Sequence, residues 1–416
     1  MKNSISLPES VQQILDRFQQ HGYEAYVVGG CIRDVLLHQT PSDWDFCTSA
    51  NPDEILQCFS DCKTMAIGKA YGTICVNWKS IWYEITTFRT ESEYVDYRRP
   101  SQVTFTTSLY EDLKRRDFTI NAMAYHPQIG ILDPFDGRLD LEKRTIRCVG
   151  NPEDRFQEDA LRILRALRFA SVYACSLSQK TSDAVFHYVD LLDSVAKERM
   201  CVEWTKLLCG SSCAVILQRY AAVVAHQFPT LQETIQNVLE WHAICERVAH
   251  VSPIPSIRWA AFCSVLGENA IGLLQQLRFS KQDQKSILQL VRLCQQPVLA
   301  EQSDLLRKMH RYGKEAVGDW LQMQLTSSSN QETVLQAIAQ YKKIIADQIC
   351  YTIKDMQICG NDLLAIGIPN GPAIGTCLNQ LLEAVICGRV HNQRSELLQY
   401  AEAHYASSDT PNLMKY

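Results

Sequence analysis

The pattern of apolar and polar residues changes character near residue 150 of this 416-residue chain. Before that point, short runs rich in β-branched and aromatic residues alternate with helical patterns. The runs that predict strands are Tyr26–Val28, Asp43–Thr48, Gly72–Trp78, Ile81–Phe88 and Ile146–Val149. After residue 150, apolar residues recur at helical spacing and glycines are few. The pattern therefore predicts an α+β fold, in which a mixed α/β head is followed by a long all-α remainder.

The N-terminal segment predicts an amphipathic helix that begins after Pro8, and it lacks the apolar core of a signal peptide. No uninterrupted apolar run reaches the roughly 18 residues that a membrane helix needs. The chain is too long for one ordinary domain, so we expect about two to four units. Pro253–Pro255 and the polar cluster Thr326–Asn330 are the clearest breaks within the helical part.

Composition restricts the cellular setting and the mode of any RNA binding. The 17 cysteines are scattered singly without a C-x-x-C pair, which favours reduced thiols and a cytoplasmic location. The formal net charge of −5 is unlike that of a generic nucleic-acid binder, so RNA binding would require local basic surface. Segments that offer such surface are Arg89–Arg99, Lys114–Arg116 and Arg307–Lys314.

Residues 26–46 combine a glycine pair, an Arg-Asp pair and an Asp-x-Asp pair within one strand-loop-helix-strand pattern. Gly29 and Gly30 follow the predicted strand, where they allow the backbone to turn tightly and to approach a ligand. A short helix is predicted from Cys31 to Leu37, and its first N–H groups would favour a negatively charged group. Arg33 adds a planar, permanently charged donor. This order of groups is typical of a nucleoside triphosphate site.

Three carboxylates in the head are candidate catalytic groups. Asp43 and Asp45 stand two residues apart in a predicted extended segment, so both would face one point. Mg²⁺ takes oxygen ligands from one or two carboxylates and fills its other positions with phosphate and water. Glu84 lies in a second predicted strand that is otherwise rich in aromatic and β-branched residues. We expect Asp43 and Asp45 to bind Mg²⁺, with Glu84 as the third catalytic carboxylate.

A charged stripe follows one side of a helix that is predicted over Glu158–Phe169. Leucines recur on the opposite, buried side of this helix, at Leu161, Leu164 and Leu167. The residues of the charged stripe are Asp159, Arg162, Arg165 and Arg168. A solvated face would normally alternate its charges, whereas one acid followed by three arginines suits an anionic ligand that runs along the helix.

The first two residues of this stripe could select the base of a nucleotide. Asp159 only accepts hydrogen bonds and Arg162 only donates them. Side by side they match the edge of cytosine or adenine, where an exocyclic amine stands beside a ring-nitrogen acceptor. Uracil and guanine present a carbonyl and a ring N–H there instead. The protein could therefore select C and A without a nucleic-acid template.

Four segments, taken in their order along the chain, resemble the motifs of class II tRNA nucleotidyltransferases, the family of CCA-adding enzymes and bacterial poly(A) polymerases. The segments are GGCIRD with SDWDF, RRDFTINAMAY, DPFDGRLDL and EDALRILRALRF, which are similar to motifs A, B, C and D. The segment Ile358–Gly388 is similar to the family's C-terminal signature. Asp136 departs from the pattern, because many members have a second glycine at this position of motif C.

The resemblance implies a polymerase-β-like nucleotidyltransferase head with a small mixed sheet, followed by a helical neck, body and tail. The implied ranges are 1–150 for the head, 151–215 for the neck that recognises the base, 216–328 for the body and 329–416 for the tRNA-binding tail. It also implies that Gly30 and Arg33 contact the triphosphate and that Arg116 helps to bind the sugar-phosphate part. Asp117 and Asn121 would help to distinguish ribose from deoxyribose.

The implied activity is template-independent addition of CCA to the 3′ end of tRNA from CTP and ATP, by two-metal nucleotidyl transfer with release of pyrophosphate. A-adding enzymes and poly(A) polymerases share the same motifs and stay as alternatives. Thr90–Thr104 resembles the flexible loop that CC-adding enzymes lack, which disfavours CC-only addition. Poly(A) polymerases of this class usually carry a longer, basic C-terminal extension than the SSDTPNLMKY of this chain.

Two alternative functions outside this family of enzymes are disfavoured. A catalytically inactive tRNA-binding protein would not need the three carboxylates Asp43, Asp45 and Glu84. A nucleotidyltransferase that modifies antibiotics would have no use for a long helical remainder. We therefore expect tRNA, CTP and ATP as partners, and neither a membrane nor DNA.

Overall fold

The computed structural model describes residues 5–95, 99–327 and 330–405. Its strands are β1 (Ala25–Val28), β2 (Asp45–Thr48), β3 (Lys63–Met65), β4 (Thr73–Trp78), β5 (Ile81–Thr87), β6 (Arg89–Val95), β7 (Arg99–Phe105), β8 (Ala124–His126), β9 (Gly130–Leu132), β10 (Thr145–Ile146) and β11 (Ser176–Leu177).

The α-helices fall mainly after residue 150, as the apolar spacing predicted. They are α1 (Glu9–Gln20), α2 (Gly30–Leu36), α3 (Pro52–Cys58), α4 (Leu109–Lys114), α5 (Gly137–Glu142), α6 (Pro152–Glu158), α7 (Leu161–Val172), α8 (Gln179–His187), α9 (Lys197–Leu208), α10 (Cys213–Arg219), α11 (Ala221–Gln227), α12 (Gln232–Gln236), α13 (Val238–His250), α14 (Pro255–Cys263), α15 (Ala270–Gln276), α16 (Lys281–Cys294), α17 (Gln302–Tyr312), α18 (Lys314–Ser327), α19 (Gln331–Ala346), α20 (Gly360–Ala365), α21 (Pro372–Ile386) and α22 (Arg394–Tyr405).

The head is built on a mixed seven-stranded sheet in the order β3-β4-β5-β2-β1-β8-β9. Strand β2 pairs antiparallel with β1 and parallel with β5. Asp45 lies opposite Val28 of β1, and Glu84 precedes Ile85, the partner of Phe46 in β5. The central position of β2 therefore places Asp45 and Glu84 at neighbouring positions of two adjacent strands.

Two predicted strands need correction. The segment 43–48 pairs only from Asp45 onward, and Asp43 precedes the strand, where its carboxylate accepts a 3.0 Å hydrogen bond from the hydroxyl of Ser42. Such local side-chain bonds compete with strand pairing. The segment 146–149 is not one strand either, since β10 ends at Ile146. The residues beyond it bond to the loop at 117–119 instead, with Val149 N–H donating to the Asp117 carbonyl at 3.1 Å.

The amphipathic N-terminal helix is confirmed as α1, which begins directly after Pro8. Its apolar side is buried and consists of Val11, Ile14, Leu15 and Phe18. The predicted break at 253–255 is also confirmed, because α13 ends at His250 and α14 begins at Pro255. Thr326–Asn330 falls partly outside the described residues, which resume at Asn330 before α19.

The chain divides into two compact units. The first unit contains the chain as far as Ala249, which includes the head, together with Pro253–Arg258 and Leu273–Phe279. The second contains His250–Ser252, Trp259–Gly272 and the helices from Ser280 onward. Within the first unit α7 packs against α9, and within the second α16 packs against α18. The division into head, neck, body and tail at 1–150, 151–215, 216–328 and 329–416 stays a prediction.

No single helix in the described ranges has the length and apolar character to cross a membrane. Helices α9 and α10 pass the same test only as a pair, and they are bent by 119° at the break between them.

Candidate active site

A cavity of about 430 Å³ brings most of the predicted site residues together in the first unit. The predicted residues that line it are Gly30, Arg33, Asp45, Arg116, Asp117, Asn121, Asp159, Arg162, Arg165 and Arg168. The remaining lining residues are Gly29 of the predicted glycine turn, Arg115 of the predicted basic segment 114–116, and two aromatic residues without a predicted role, Phe169 and Tyr173. Asp43 and Glu84 do not line the cavity. They lie beside Asp45, whose electrostatic surroundings include both carboxylates.

The three predicted catalytic acids lie near the centre of the sheet. Asp45 is half-buried, whereas Asp43 and Glu84 are exposed. Burial raises the pKa of Asp45 to about 6, and the negative charges of Asp43 and Glu84 add to this increase, while Arg116 opposes it. The three acids are thus close enough to repel one another.

The donor chemistry of this group fits a divalent cation, although the described residues contain no cluster of three His, Cys, Asp or Glu side chains arranged to hold a metal by themselves. Asp43 and Asp45 offer hard carboxylate oxygens, and a hard cation would relieve their repulsion. An ion held by one or two carboxylates takes its remaining ligands from phosphate and water. The site therefore suits a metal that binds together with a phosphate substrate.

The glycine pair brings the backbone close to two arginines. Gly29 has φ 82° and ψ −133°, and a Cβ atom there would lie 3.1 Å from Nη1 of Arg116. Both the positive φ and the close approach favour glycine. Helix α2 begins at Gly30, within one residue of its predicted start, and carries Arg33, which is 7% exposed. Arg33 Nη1 donates to Asn121 Oδ1 at 2.6 Å.

Motif B contributes an arginine with an unused donor. The fully buried carboxylate of Asp112 accepts hydrogen bonds from Arg115 at 2.8 Å and from Arg116 at 3.3 Å. Burial disfavours the charge of Arg116, but the charge and the hydrogen bond of Asp112, together with further negative groups that include Asp45, outweigh burial and raise the arginine pKa. The buried Nε of Arg116 has no hydrogen-bond partner among the described residues. The residue itself lines the cavity, so its guanidinium can contact a ligand there.

Asp117 is held by an arginine of α7. Its Oδ2 accepts hydrogen bonds from Nε and Nη2 of Arg165 at 2.8 and 2.5 Å, and its Oδ1 accepts one from Asn121 at 3.1 Å. Burial disfavours the Asp117 charge, but the charges of Arg165 and Arg162 outweigh it and lower the pKa to about 2. Asp117 is therefore ionised and fixes the position of Arg165.

The single helix predicted over Glu158–Phe169 is wrong at its start. Helix α6 ends at Glu158, Asp159 is extended with φ −142° and ψ 102°, and α7 begins at Leu161. Asp159 Oδ1 accepts a 3.1 Å hydrogen bond from the Leu161 N–H, a local bond that competes with helix formation. The buried side of the helix is confirmed, since Leu161, Leu164 and Leu167 are each at most 5% exposed.

Asp159 and Arg162 both line the cavity, but each is held by a different partner. Asp159 accepts hydrogen bonds from Nη1 and Nη2 of Arg199 at 3.3 and 2.8 Å. Arg162 donates to Glu158 at 2.5 Å. The predicted acceptor and donor thus stand in the same cavity, and the hydrogen bond described between the two residues joins backbone atoms, from the Arg162 N–H to the Asp159 carbonyl at 2.9 Å.

Helix α9 supplies partners that sequence reasoning missed. Arg199 holds Asp159, and the buried Glu203 lies 2.9 Å from Arg168 and 3.8 Å from Arg165. Arg199 and Glu203 stand four residues apart, so they share one face of α9. This spacing was the available signal, but it could not indicate which helix that face contacts.

The motif C turn places Asp136, the residue that departs from the family pattern, in a backbone conformation that favours glycine. Asp136 adopts the left-handed conformation with φ 61° and ψ 32°, which glycine adopts most readily. The next residue, Gly137, leaves no room for a side chain, because a Cβ atom would lie 2.2 Å from the carbonyl oxygen of Thr119. Helix α5 therefore packs directly on the segment that carries Asn121.

The segment Thr90–Thr104 forms the antiparallel strands β6 and β7. The connection at residues 96–98 lies outside the described residues. The predicted role of this segment as a flexible loop that separates CCA addition from CC addition stays a prediction.

Comparison with known proteins gives consistent matches. Residues 25–147 match the Poly A polymerase head domain, and residues 256–401 match the putative domain 2 of tRNA nucleotidyltransferase. The chain is 35% identical over 397 residues to a CCA-adding enzyme of Geobacillus sp. (strain WCH70), covering 93% of this chain and 95% of the relative.

Solved structures agree with these sequence matches. A Bacillus stearothermophilus CCA-adding enzyme in complex with CTP aligns with a TM-score of 0.80 and 30% identity, over 95% of this chain and 96% of that one. A Thermotoga maritima CCA-adding enzyme complexed with tRNA aligns with a TM-score of 0.63 and 20% identity, over 95% and 96% of the two chains. The second match supports the fold alone. The predicted polymerase-β-like head with a helical remainder is thus confirmed.

Proposed function

This chain belongs to the family of CCA-adding enzymes, and from that premise we propose that it adds CCA to the 3′ end of tRNA from CTP and ATP, with release of pyrophosphate. The observation that carries the proposal is the continuity of one cavity from Asp45 at the sheet to the charged residues of α7. Such a cavity can hold a nucleotide with its phosphates near the carboxylates and its base near the neck. A site of this kind requires no template strand.

The family's reaction needs a divalent metal, and we propose Mg²⁺ bound by Asp43 and Asp45, with Glu84 as the third catalytic carboxylate. The bound metal supplies charge stabilisation for the attacking and leaving oxygens of an in-line displacement. Asp45 supports this proposal because its carboxylate lies in the cavity wall and beside two further acids. No side-chain nucleophile is needed, since the tRNA 3′ hydroxyl attacks the α-phosphate directly.

We propose that the triphosphate lies against the glycine turn and two arginines. Gly29 and Gly30 bring backbone to the cavity wall, where a side chain would crowd Arg116. Arg33 is held in place by Asn121, and Arg116 is held by Asp112. Both arginines can therefore meet phosphate oxygens with little loss of side-chain entropy.

We propose that Asp159 and Arg162 read the base, while Arg165 and Arg168 extend the positive side of the cavity. Arg199 donates to both carboxylate oxygens of Asp159, which fixes this acceptor in the cavity wall. Arg162 donates to the Glu158 carboxylate at 2.5 Å and to the carbonyls of Arg155 and Arg115 at 3.3 and 3.2 Å, which fixes its guanidinium in the cavity wall. An acceptor and a donor fixed in this way favour the amine and ring nitrogen of cytosine and adenine over the groups of uracil and guanine.

The test is to incubate the protein with Mg²⁺ and with each nucleoside triphosphate singly and in pairs. The acceptors are tRNAs that end before the tail, after its first C and after its second C, and the products are sequenced at their 3′ ends. Addition of C, C and A in order, followed by termination, supports the proposal. Asp45→Asn should abolish addition, whereas Asp53→Asn should not, because Asp53 is exposed and its described ion pair is with Lys69, away from the cavity-lining residues.

Other outcomes separate the alternatives. Long A tracts would assign the chain to the poly(A) polymerases, and A added only to tRNA that ends in CC would assign it to the A-adding enzymes. Retained tRNA binding without any addition would indicate a catalytically inactive binding protein. We also propose a cytoplasmic location, which the expected tRNA substrate and the absence of disulfides among the cysteines support.

A further inference from the structure

The aromatic ring of Phe169 is shared by three arginines of the cavity. The guanidinium carbon of Arg168 lies 3.9 Å from the ring centroid, and those of Arg33 and Arg165 each lie 5.3 Å from it. All three distances fall within the range of cation–π attraction. Phe169 is 4% exposed and, like the three arginines, contributes to the cavity wall.

The three arginines come from two parts of the first unit. Arg165 and Arg168 belong to α7, whereas Arg33 belongs to α2 of the head. Their positive charges repel one another, and burial together with the charges of Arg165 and Arg33 lowers the pKa of Arg168 despite its carboxylate partner Glu203. Convergence of these side chains at one ring therefore requires a compensating attraction.

Each arginine also has a carboxylate partner, but the ring provides a different kind of contact. The carboxylates are Asp34 for Arg33, Asp117 for Arg165 and Glu203 for Arg168. A carboxylate occupies N–H donors of the guanidinium, whereas a ring attracts the cation through its quadrupole and leaves those donors available. A phosphate oxygen needs N–H donors. The ring can thus hold the arginines without competing with the ligand.

We propose that Phe169 is a positioning residue for nucleotide binding: its ring face keeps Arg33, Arg165 and Arg168 converged as a preformed anion site. The inference rests on the proposed function, because it assumes that the cavity binds a nucleoside triphosphate. Binding then requires little reorganisation of the arginines, which lowers the entropic cost of ordering them.

A packing role alone would make a different prediction. Phe169 contacts Phe118 edge-to-face at a centroid distance of 5.6 Å, and it stacks on Tyr173 at 6.0 Å. Replacement by leucine would disturb these contacts as well as the arginines. The test must therefore weaken the electrostatic face of the ring while preserving its shape.

The experiment replaces Phe169 with mono-, di- and trifluorophenylalanine in the full chain, since each added fluorine weakens the negative ring face at nearly constant volume. The dissociation constant of CTP is measured with Mg²⁺ at fixed ionic strength, together with the thermal midpoint. The matched control is the same series at the fully buried Phe118, a ring of the same core over which no cation is described. Two further variants complete the series: Phe169→Tyr keeps an aromatic ring, and Phe169→Leu removes it.

We expect CTP binding to weaken stepwise with each fluorine at position 169, reaching about tenfold in the trifluoro variant and in Phe169→Leu. Phe169→Tyr should bind CTP within about threefold of the native protein. The Phe118 series should leave CTP binding unchanged. CTP binding that is insensitive to fluorination at 169, or that falls equally in both series, overturns the inference. Failure of the native protein itself to bind CTP would instead overturn the proposed function.

Discussion

The Asp117–Arg165 pair joins the head to α7, and its removal should have a measurable cost. Asp117 is 8% exposed, and its pKa of about 2 lies below the ordinary value of 3.8 because Arg165 and Arg162 outweigh the effect of burial. This difference corresponds to about 2 kcal/mol of stability at neutral pH. In Asp117→Asn the carboxamide keeps nearly the same shape but turns an N–H₂ group or a neutral oxygen toward the Arg165 donors. We therefore expect the free energy of unfolding to fall by about 2 kcal/mol.

The assay is urea unfolding of both proteins, followed by circular dichroism. Because the folded pKa is depressed, the contribution of Asp117 is complete above pH 3.8 and is lost as the pH falls through about 2. The difference between the two proteins should accordingly shrink to about half near pH 3. Asp362→Asn is the control, since its partner Arg394 is largely exposed and solvent screens the pair. Equal unfolding free energies of native protein and Asp117→Asn near pH 7 would refute the reasoning.

Three further changes test the motif C turn, the recognition of the base by Arg162 and the segment that forms β6 and β7. Gly137→Ala places a Cβ against the Thr119 carbonyl and should lower the free energy of unfolding by about 1–3 kcal/mol, measured by thermal unfolding. Gly272→Ala is the control, because a Cβ there meets no atom within 4 Å and should not destabilise the protein. Equal thermal midpoints of the Gly137→Ala variant and the native protein would contradict the prediction. Arg162→Lys should increase misincorporation of UTP and GTP more than it weakens CTP binding, because the planar fork is lost; unchanged selectivity would leave α7 as structural. Removal of Glu93–Arg99 should leave CTP addition nearly normal and abolish ATP addition to tRNA that ends in CC. If both additions fall together and recover together at low salt, the segment acts only by binding tRNA phosphates.

The periodic elements could be predicted from the sequence because their signals are local. The strand at 25–28, the helix after Pro8 and the buried leucines of α7 depend on spacing within a few residues. The same holds for the three arginines of the charged stripe, Arg162, Arg165 and Arg168, since residues three apart share a helix face. The break at Asp159 was missed because the apolar spacing continues across it, while the cause lies in one side chain that bonds to the Leu161 N–H.

The pairings within the site could not be predicted, because they join residues that are distant in the sequence. Asp117 and Arg165 are 48 residues apart, and Asp159 and Arg199 are 40 apart. Each pairing depends on how α7 packs between the head and α9, which spacing along one helix does not determine. Glu203 illustrates the point, since a glutamate on an amphipathic helix normally faces solvent, yet here it is 5% exposed beside Arg168.

These pairings also explain how a chain with a net charge of −5 can bind a polyanion. Buried arginines without partners would be costly, so each needs a carboxylate when no ligand is present. Arg165 gives two hydrogen bonds to Asp117, and an arginine has five N–H donors, so donors remain for a phosphate. The carboxylates therefore stabilise the empty cavity and orient its arginines, while the overall charge stays negative. Because the cavity arginines are partly buried and paired, salt should weaken CTP binding less steeply than it weakens binding of tRNA, whose phosphates we expect to contact exposed basic residues.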